Sequence, residues 1–193
     1  MRVNGEVLFV QGGGEGTYDE WDRKLVESLR RELGKAYEIQ YPRMPREDDP
    51  SYARWKPKLL AALEVLRDGA ILVGHSLGGT VLLELLAERP PRRKLGAIVL
   101  IAAPFIGKGG WPADGLQLPA DLGARLPRGV PIHFFHGLQD ETAPPSHVDL
   151  YARAVPQARV HRLPGRDHQL NDDLKEVAAA IMALEAPARA AGG

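Results

Sequence analysis

Short apolar runs alternate with amphipathic stretches along the whole chain. The runs cover 6–10, 37–41, 70–74, 97–102, 131–135 and 159–163. Three of them, VLFV, AILVG and AIVLIAA, are almost continuously apolar. Strands buried on both faces of a parallel sheet read this way, because neither face alternates with solvent. Between the runs lie helical patterns. Trp21, Leu25, Leu29 and Leu33 recur at steps of four and predict one buried helix face over 21–33. Thr17 with Glu20 has the spacing of a capping box, and Gly34 stands where a helix would stop. Leu59, Leu60, Leu63 and Leu66 predict a second helix over 58–67, with Pro57 either in its first turn or kinking a longer helix from Ser51. The stretch 77–89 is strongly apolar and ends at Pro90-Pro91. A shorter helix is predicted over 146–154, and a last one over 172–184 with Leu174, Val177, Ile181 and Leu184 inward.

This alternation predicts an α/β fold: a doubly wound, mainly parallel sheet of about six strands with helices on both faces and right-handed crossovers. One stretch departs from it. Residues 104–129 are rich in Gly and Pro, have weak helical periodicity and carry Phe105, Ile106, Trp111, Leu116 and Leu118. Long connections of this kind are usually functional or disordered, and the apolar content argues against disorder. The segment reads either as a small lid or pocket wall, or as a loop packed on the sheet edge.

Composition adds bounds. At 193 residues one domain over 1–186 is expected, with 187–193 a flexible Ala/Gly-rich tail. A chain of this size buries roughly 70% of its unfolded surface and needs no metal or disulfide to fold. There is no cysteine, hence no disulfide framework, no thiolate zinc site and no thiol nucleophile. The 25 basic and 25 acidic side chains cancel, so no basic excess points to nucleic acid. No stretch approaches the about 18 apolar residues of a membrane span, and the short run at 7–10 lacks the pattern of a secretory signal. The expected partner is a small-molecule substrate, the location cytoplasmic, and no cofactor or metal is implied.

The sharpest chemical signal is Gly74-His75-Ser76-Leu77-Gly78-Gly79, which fits G-x-S-x-G between an apolar strand and an apolar helix. Such a sharp turn strains the central residue, so the positions two before and two after, Gly74 and Gly78, must be tiny. His75 is fixed inside the turn. The Ser76 hydroxyl is then presented at a helix N-terminus, with the Leu77 N–H facing the same space. A serine hydroxyl needs a base, and the base an orienting acid. Asp140, after the strand PIHFFHG, and His168, after VHRLPG, lie at strand carboxyl ends, where open α/β sheets place their sites. Glu141 and Asp167 compete for the acid role. Of the other histidines, His133, His136 and His161 sit in or at the end of strands as packing or supporting groups, and His147 starts a helix. The Gln11-Gly12-Gly13-Gly14 turn offers a second oxyanion donor, best from Gly13. It does not satisfy G-x-G-x-x-G, because Thr17 stands at the third Gly, and no G-K-[ST] follows. Phe105 and Trp111 are candidates for an acyl pocket, and Trp55 a weaker one. His133 and His136 form an H-x-x-H, but a three-residue step on a strand faces them oppositely. The run Arg89, Arg92, Arg93, Lys94 reads as a solvated loop.

In QGGG, GHSLGG, HGLQD and GRDH, taken in that order, the chain resembles the α/β-hydrolase superfamily from about Val7 to Leu184. It looks most like the compact, capless serine hydrolases of the retinoblastoma-binding-protein-9-like and YdeN-like branch. It has QGGG where many esterases carry a His-Gly pair. The resemblance implies hydrolysis of an ester, thioester or amide without selecting among them. The expected function is cleavage of small acyl esters through Ser76, His168 and Asp140. Thioester hydrolysis or acyl transfer on the same residues, and a protein-binding module with little turnover, remain as alternatives.

Overall fold

The computed structural model describes residues 5–113 and 115–190, with side chains through 184. Six parallel strands form one sheet in the order β2-β1-β3-β4-β5-β6. They are β1 (Gly5–Val10), β2 (Tyr37–Gln40), β3 (Ile71–His75), β4 (Ala97–Ile101), β5 (Ile132–Gly137) and β6 (Arg159–Leu163). Central strands β3, β4 and β5 are buried along their whole length, which explains the unbroken apolar runs of β3 and β4; β5 is buried although it carries His133 and His136. Edge strands β2 and β6 are partly exposed and carry charged residues.

Successive strand residues face opposite sides, so each strand feeds two cores. Leu8, Val10, Leu72, Ile98, Leu100 and Phe134 pack beneath α2 (Tyr52–Glu64), α3 (Leu77–Glu88) and α5 (Ser146–Ala154). Val7, Phe9, Ile71, Val73, Val99, Ile101 and Phe135 pack against α1 (Asp22–Leu33) and α6 (Lys175–Ala190). Helix α3 is apolar almost all round because it is covered by the sheet, α2 and the segment after β4.

Several local expectations change. Thr17 does not cap α1. The chain makes a wide π-type turn over Thr17–Trp21, and the Thr17 hydroxyl donates to the Gly14 carbonyl. This extra turn swings Trp21 out of the buried face, leaving it 48% exposed. Of the two readings of Pro57, the longer helix from Ser51 holds, and Pro57 lies inside α2 rather than in a first turn. It removes the N–H that would reach the Ala53 carbonyl, and both residues face solvent, so water can take that carbonyl. Gly34 does end α1, at φ 64°. Helix α6 continues to Ala190, past the start of the expected tail, while Ala191–Gly193 and Asp114 lie outside the described residues.

The long segment after β4 has little regular structure. It includes a one-turn helix, α4 (Leu122–Arg125), and a bridge between Ile106 and Trp111. Leu116, Leu122 and Leu126 join the core beside α3, so these parts of the segment serve as packing.

Candidate active site

The turn from β3 into α3 is built as its glycines require. A Cβ on Gly74 would lie 2.6 Å from the Gly79 Cα, and one on Gly78 would lie 2.0 Å from the Gln11 carbonyl oxygen. Ser76 takes φ 49° and ψ −130°, a conformation that side-chain-bearing residues rarely adopt. It is held by its own N–H on the Ile101 carbonyl at 2.8 Å and by the Gly79 N–H on its carbonyl at 2.9 Å.

Ser76, His168 and Asp140 form one hydrogen-bonded line. His168 Nε2 lies 3.0 Å from Ser76 Oγ, and His168 Nδ1 lies 2.8 Å from Asp140 Oδ2. The other Asp140 oxygen accepts the N–H groups of Thr142 and Ala143 at 2.9 and 2.8 Å. With Nδ1–H on a carboxylate, Nε2 is the lone-pair side facing the hydroxyl, the tautomer a general base requires. Burial alone would raise the Asp140 pKa. The donors from His136 and His168 outweigh it and hold the carboxyl well below the usual carboxylate range. Burial lowers the pKa of His168, Asp140 pulls it back up, and nearby His75 lowers it again; the net shift is downward.

Neither rival acid touches the His168 ring. Asp167 Oδ1 instead accepts the N–H groups of Gln169 and Asn171, tying the turn that carries His168. Glu141 is exposed. The remaining histidines separate clearly. His147 Nδ1 accepts the Phe105 N–H at 3.0 Å. His133 and His161 share one ring-to-ring hydrogen bond of 3.0 Å and stack with Phe135. His136 is the supporting group among them, as its strand-end position suggested. Its Nε2 donates to the Ala143 carbonyl at 2.8 Å and lies 3.2 Å from Asp140 Oδ2.

Beside Ser76, the glycine turn after β1 is pinned at two of its N–H groups. Gly12 donates to Asp22 Oδ2 at 2.7 Å, and Gly14 donates to the Glu47 carbonyl at 2.6 Å. The intervening Gly13 N–H, like that of Leu77 at the start of α3, meets no acceptor among the described residues. Both residues line the cleft that holds Ser76. A Cβ on Gly13 would lie 2.7 Å from Pro50 and 2.9 Å from the Leu77 side chain, so the turn cannot carry a larger residue here without movement.

The cleft has a volume of about 570 Å³ and is walled by Trp21, Pro50, Leu77, Trp111 and Gln169. Glu15 is the one acidic side chain among its described lining residues, and no lysine or arginine reaches it. Of the aromatic candidates, Trp111 lines the cleft. Phe105 does not, because its ring packs edge-on to Tyr151 in the core. Trp55 is fully buried, with its indole N–H on the Pro45 carbonyl. Trp21 lines the cleft although the helical pattern assigned it to packing. Asp22 has no sequence signal of its own, whereas His136, expected as a packing or supporting group, supports Asp140. Among the described residues, no group of three or more His, Asp or Glu is arranged to hold a metal ion, and no helix is long and apolar enough to cross a membrane.

A family model described as the alpha/beta hydrolase family matches residues 7–188. The chain belongs to the α/β-hydrolase family. It is thus an enzyme of the hydrolase type, on a minimal form of that fold. The ydeN gene product of B. subtilis superposes with a TM-score of 0.71 at 19% identity, over 94% of this chain and 99% of that one. XC6422 of Xanthomonas campestris, described as an a/b serine hydrolase without lid, gives 0.63 at 18% identity, over 97% and 83%. Est1E of Butyrivibrio proteoclasticus gives 0.70 at 16% identity, over 98% and 89%. At these identities the likeness is one of fold. No curated protein matches the sequence.

Proposed function

We propose that this α/β-hydrolase is a serine hydrolase cleaving small, uncharged acyl esters through an acyl-enzyme intermediate. The observation that carries the reading is the continuous line from Ser76 Oγ through the His168 ring to Asp140, at 3.0 and 2.8 Å. His168 takes the Ser76 proton as Oγ attacks the acyl carbon. The N–H groups of Leu77 and Gly13 stabilise the oxyanion, where one such donor is typically worth about 3–4 kcal/mol in the transition state. His168 then protonates the leaving alcohol. Water attacks the acyl-enzyme with His168 as base, releasing the acid. Asp140 holds the imidazole tautomer and stabilises the imidazolium.

The cleft supports the substrate class. A carboxylate or phosphate on the substrate would find no lysine or arginine among the described lining residues, whereas Trp21, Trp111 and Leu77 suit a neutral apolar group. In a related fold, Est1E of Butyrivibrio proteoclasticus has been seen with ferulic acid bound.

The test is covalent labelling by a fluorophosphonate probe together with hydrolysis of p-nitrophenyl esters of increasing chain length. Wild type should label stoichiometrically and hydrolyse the shortest esters fastest, and Ser76→Ala should do neither. Labelling that survives Ser76→Ala would overturn the assignment of the nucleophile.

A further inference from the structure

A second acid–histidine pair lies directly beneath the first. His75, the residue preceding Ser76, is fully buried, and its Nδ1 is 2.8 Å from Asp22 Oδ1. The approach is off the ring N–H direction, so it is a close contact rather than an aligned hydrogen bond, and an ion pair only when His75 is protonated. On its other side His75 Nε2 faces the main-chain carbonyl of His168 at 3.2 Å. The second Asp22 oxygen accepts the Gly12 N–H at 2.7 Å. A carboxylate and a carbonyl are both acceptors, so each ring nitrogen of His75 faces an atom that can only accept. The arrangement is consistent when both nitrogens carry protons.

The segment that His75 reaches needs a hold. Leu170, Asn171 and Asp172, just beyond His168, all have positive φ, between 50° and 57°. Left-handed backbone is disfavoured for residues with a Cβ, so three in succession persist only where surrounding contacts impose them. On the outer side those contacts are the Asp167 carboxylate and the Arg166 guanidinium, which bonds the Leu170 carbonyl, Asp173 and Glu176. On the inner side, the His75 ring is the contact on the His168 main chain.

We propose that Asp22 and a protonated His75 act as a positioning pair that clamps the His168 main chain and the Gly12 turn to the Ser76 elbow. The pair joins three separate segments: the glycine turn that would supply an oxyanion donor, the elbow, and the loop bearing the base. It rests on the assignment of Ser76, His168 and Asp140 proposed above. The charged groups facing His75 are Asp22 from α1, His168 from the loop after β6, and Asp140 beyond it. Burial is the strongest single influence and favours a neutral ring, but Asp22, the His168 carbonyl and Asp140 together overcome it and shift His75 upward. The resulting cation, with ring centres 5.0 Å apart, opposes protonation of His168.

Two measurements test the pair. In wild type, nitrogen-15 NMR of the histidine rings at pH 8 should show His75 protonated at both nitrogens; a bare ring nitrogen on His75 would overturn the proposal without any variant having to fold. In kinetics, His75→Asn is too short to span Asp22 and the His168 carbonyl. It should lower kcat for p-nitrophenyl acetate by about 10–100-fold, the scale of a misplaced catalytic group. KM should stay within about twofold, and the acid limb of kcat/KM should move to higher pH. The Asp22→Asn/His75→Asn double variant leaves no unpaired buried charge. It should regain thermal stability relative to His75→Asn while keeping the lowered kcat and the shifted limb. A wild-type kcat and acid limb in the double variant would reduce the pair to a structural role and overturn the proposal. Ser76→Ala runs alongside: labelling that survives it would refute the nucleophile, whereas labelling lost only in that variant, with normal His75→Asn rates, would refute the clamp alone.

Discussion

Asp140–His168 and Asp22–His75 are chemically the same pair in two settings. Asp140 sits at a strand end, where the N–H groups of Thr142 and Ala143 and the His136 ring supply donors to its oxygens. His168 is aligned with it and turns its other nitrogen to Ser76 at the cleft. Asp22 lies at the start of α1 with a single backbone donor, and His75 is sealed within the elbow, its far nitrogen on a carbonyl. The difference is what the second ring nitrogen meets. A hydroxyl can give up a proton and so permits a neutral, basic imidazole. A carbonyl can only accept and so requires an N–H on that nitrogen, which with the Asp22 carboxylate at the other nitrogen favours a fixed cation. Access and the chemistry of the opposing atom, rather than residue type, separate a group able to transfer protons from one able only to hold position.

Variants should widen or close this contrast. The largest effect should come from Ser76→Ala, which removes the atom that gives His168 its role; ester turnover should fall by roughly 10⁵–10⁶-fold to background. Asp140→Asn keeps the shape but loses the tautomer control, and kcat should fall by about 10³–10⁴-fold with the melting curve little changed. A near-normal kcat there would mean the acid is another residue, and the two pairs would lose their distinction.

Gly78→Ala probes the elbow that both pairs share. The new methyl would collide with the Gln11 carbonyl, so stability should fall by about 1–3 kcal/mol, measured as a lower midpoint in urea. The pH profile sharpens the contrast without substitution. His168 must be neutral to act as base, and its net shift is downward from the ordinary 6.5. Activity should therefore rise with pH through a midpoint below that value and be level by neutrality, as kcat/KM over pH 4–8 would show. The smallest effect should be Trp21→Ala. It removes a half-exposed cleft wall that makes no hydrogen bond to either pair, and should raise KM a few-fold with kcat unchanged, measured across ester chain lengths.

Much of this was legible because it is local. The apolar runs that became β3 and β4 are covered on both faces by helices, and their continuous apolar composition reports that directly. Gly74, Ser76 and Gly78 are neighbours in one turn, so its steric demands can be read from six letters. Asp140 and His168 were reachable as polar residues just past strand ends, because parallel strands bring all such ends to one edge. The misses have two causes. The π-type turn at Thr17–Trp21 shifted the helical phase by part of a turn, which moved Trp21 to the cleft and set Asp22 beneath the elbow. Phe105 and Trp111 stand in the same loop, yet one packs on Tyr151 and the other lines the cleft. Loop composition carries no phase from which to tell them apart.

The sequence by itself determined the parallel sheet, the strained serine turn and the strand ends that carry polar groups, since each follows from sterics and burial acting over a few residues. Tertiary structure alone decided that the Gly13 N–H meets no acceptor among the described residues while its neighbours are engaged, that His136 supports Asp140, and that Asp22 faces His75. Those outcomes depend on distances of a few tenths of an ångström between segments far apart in the chain, which only the packed sheet and its helices set.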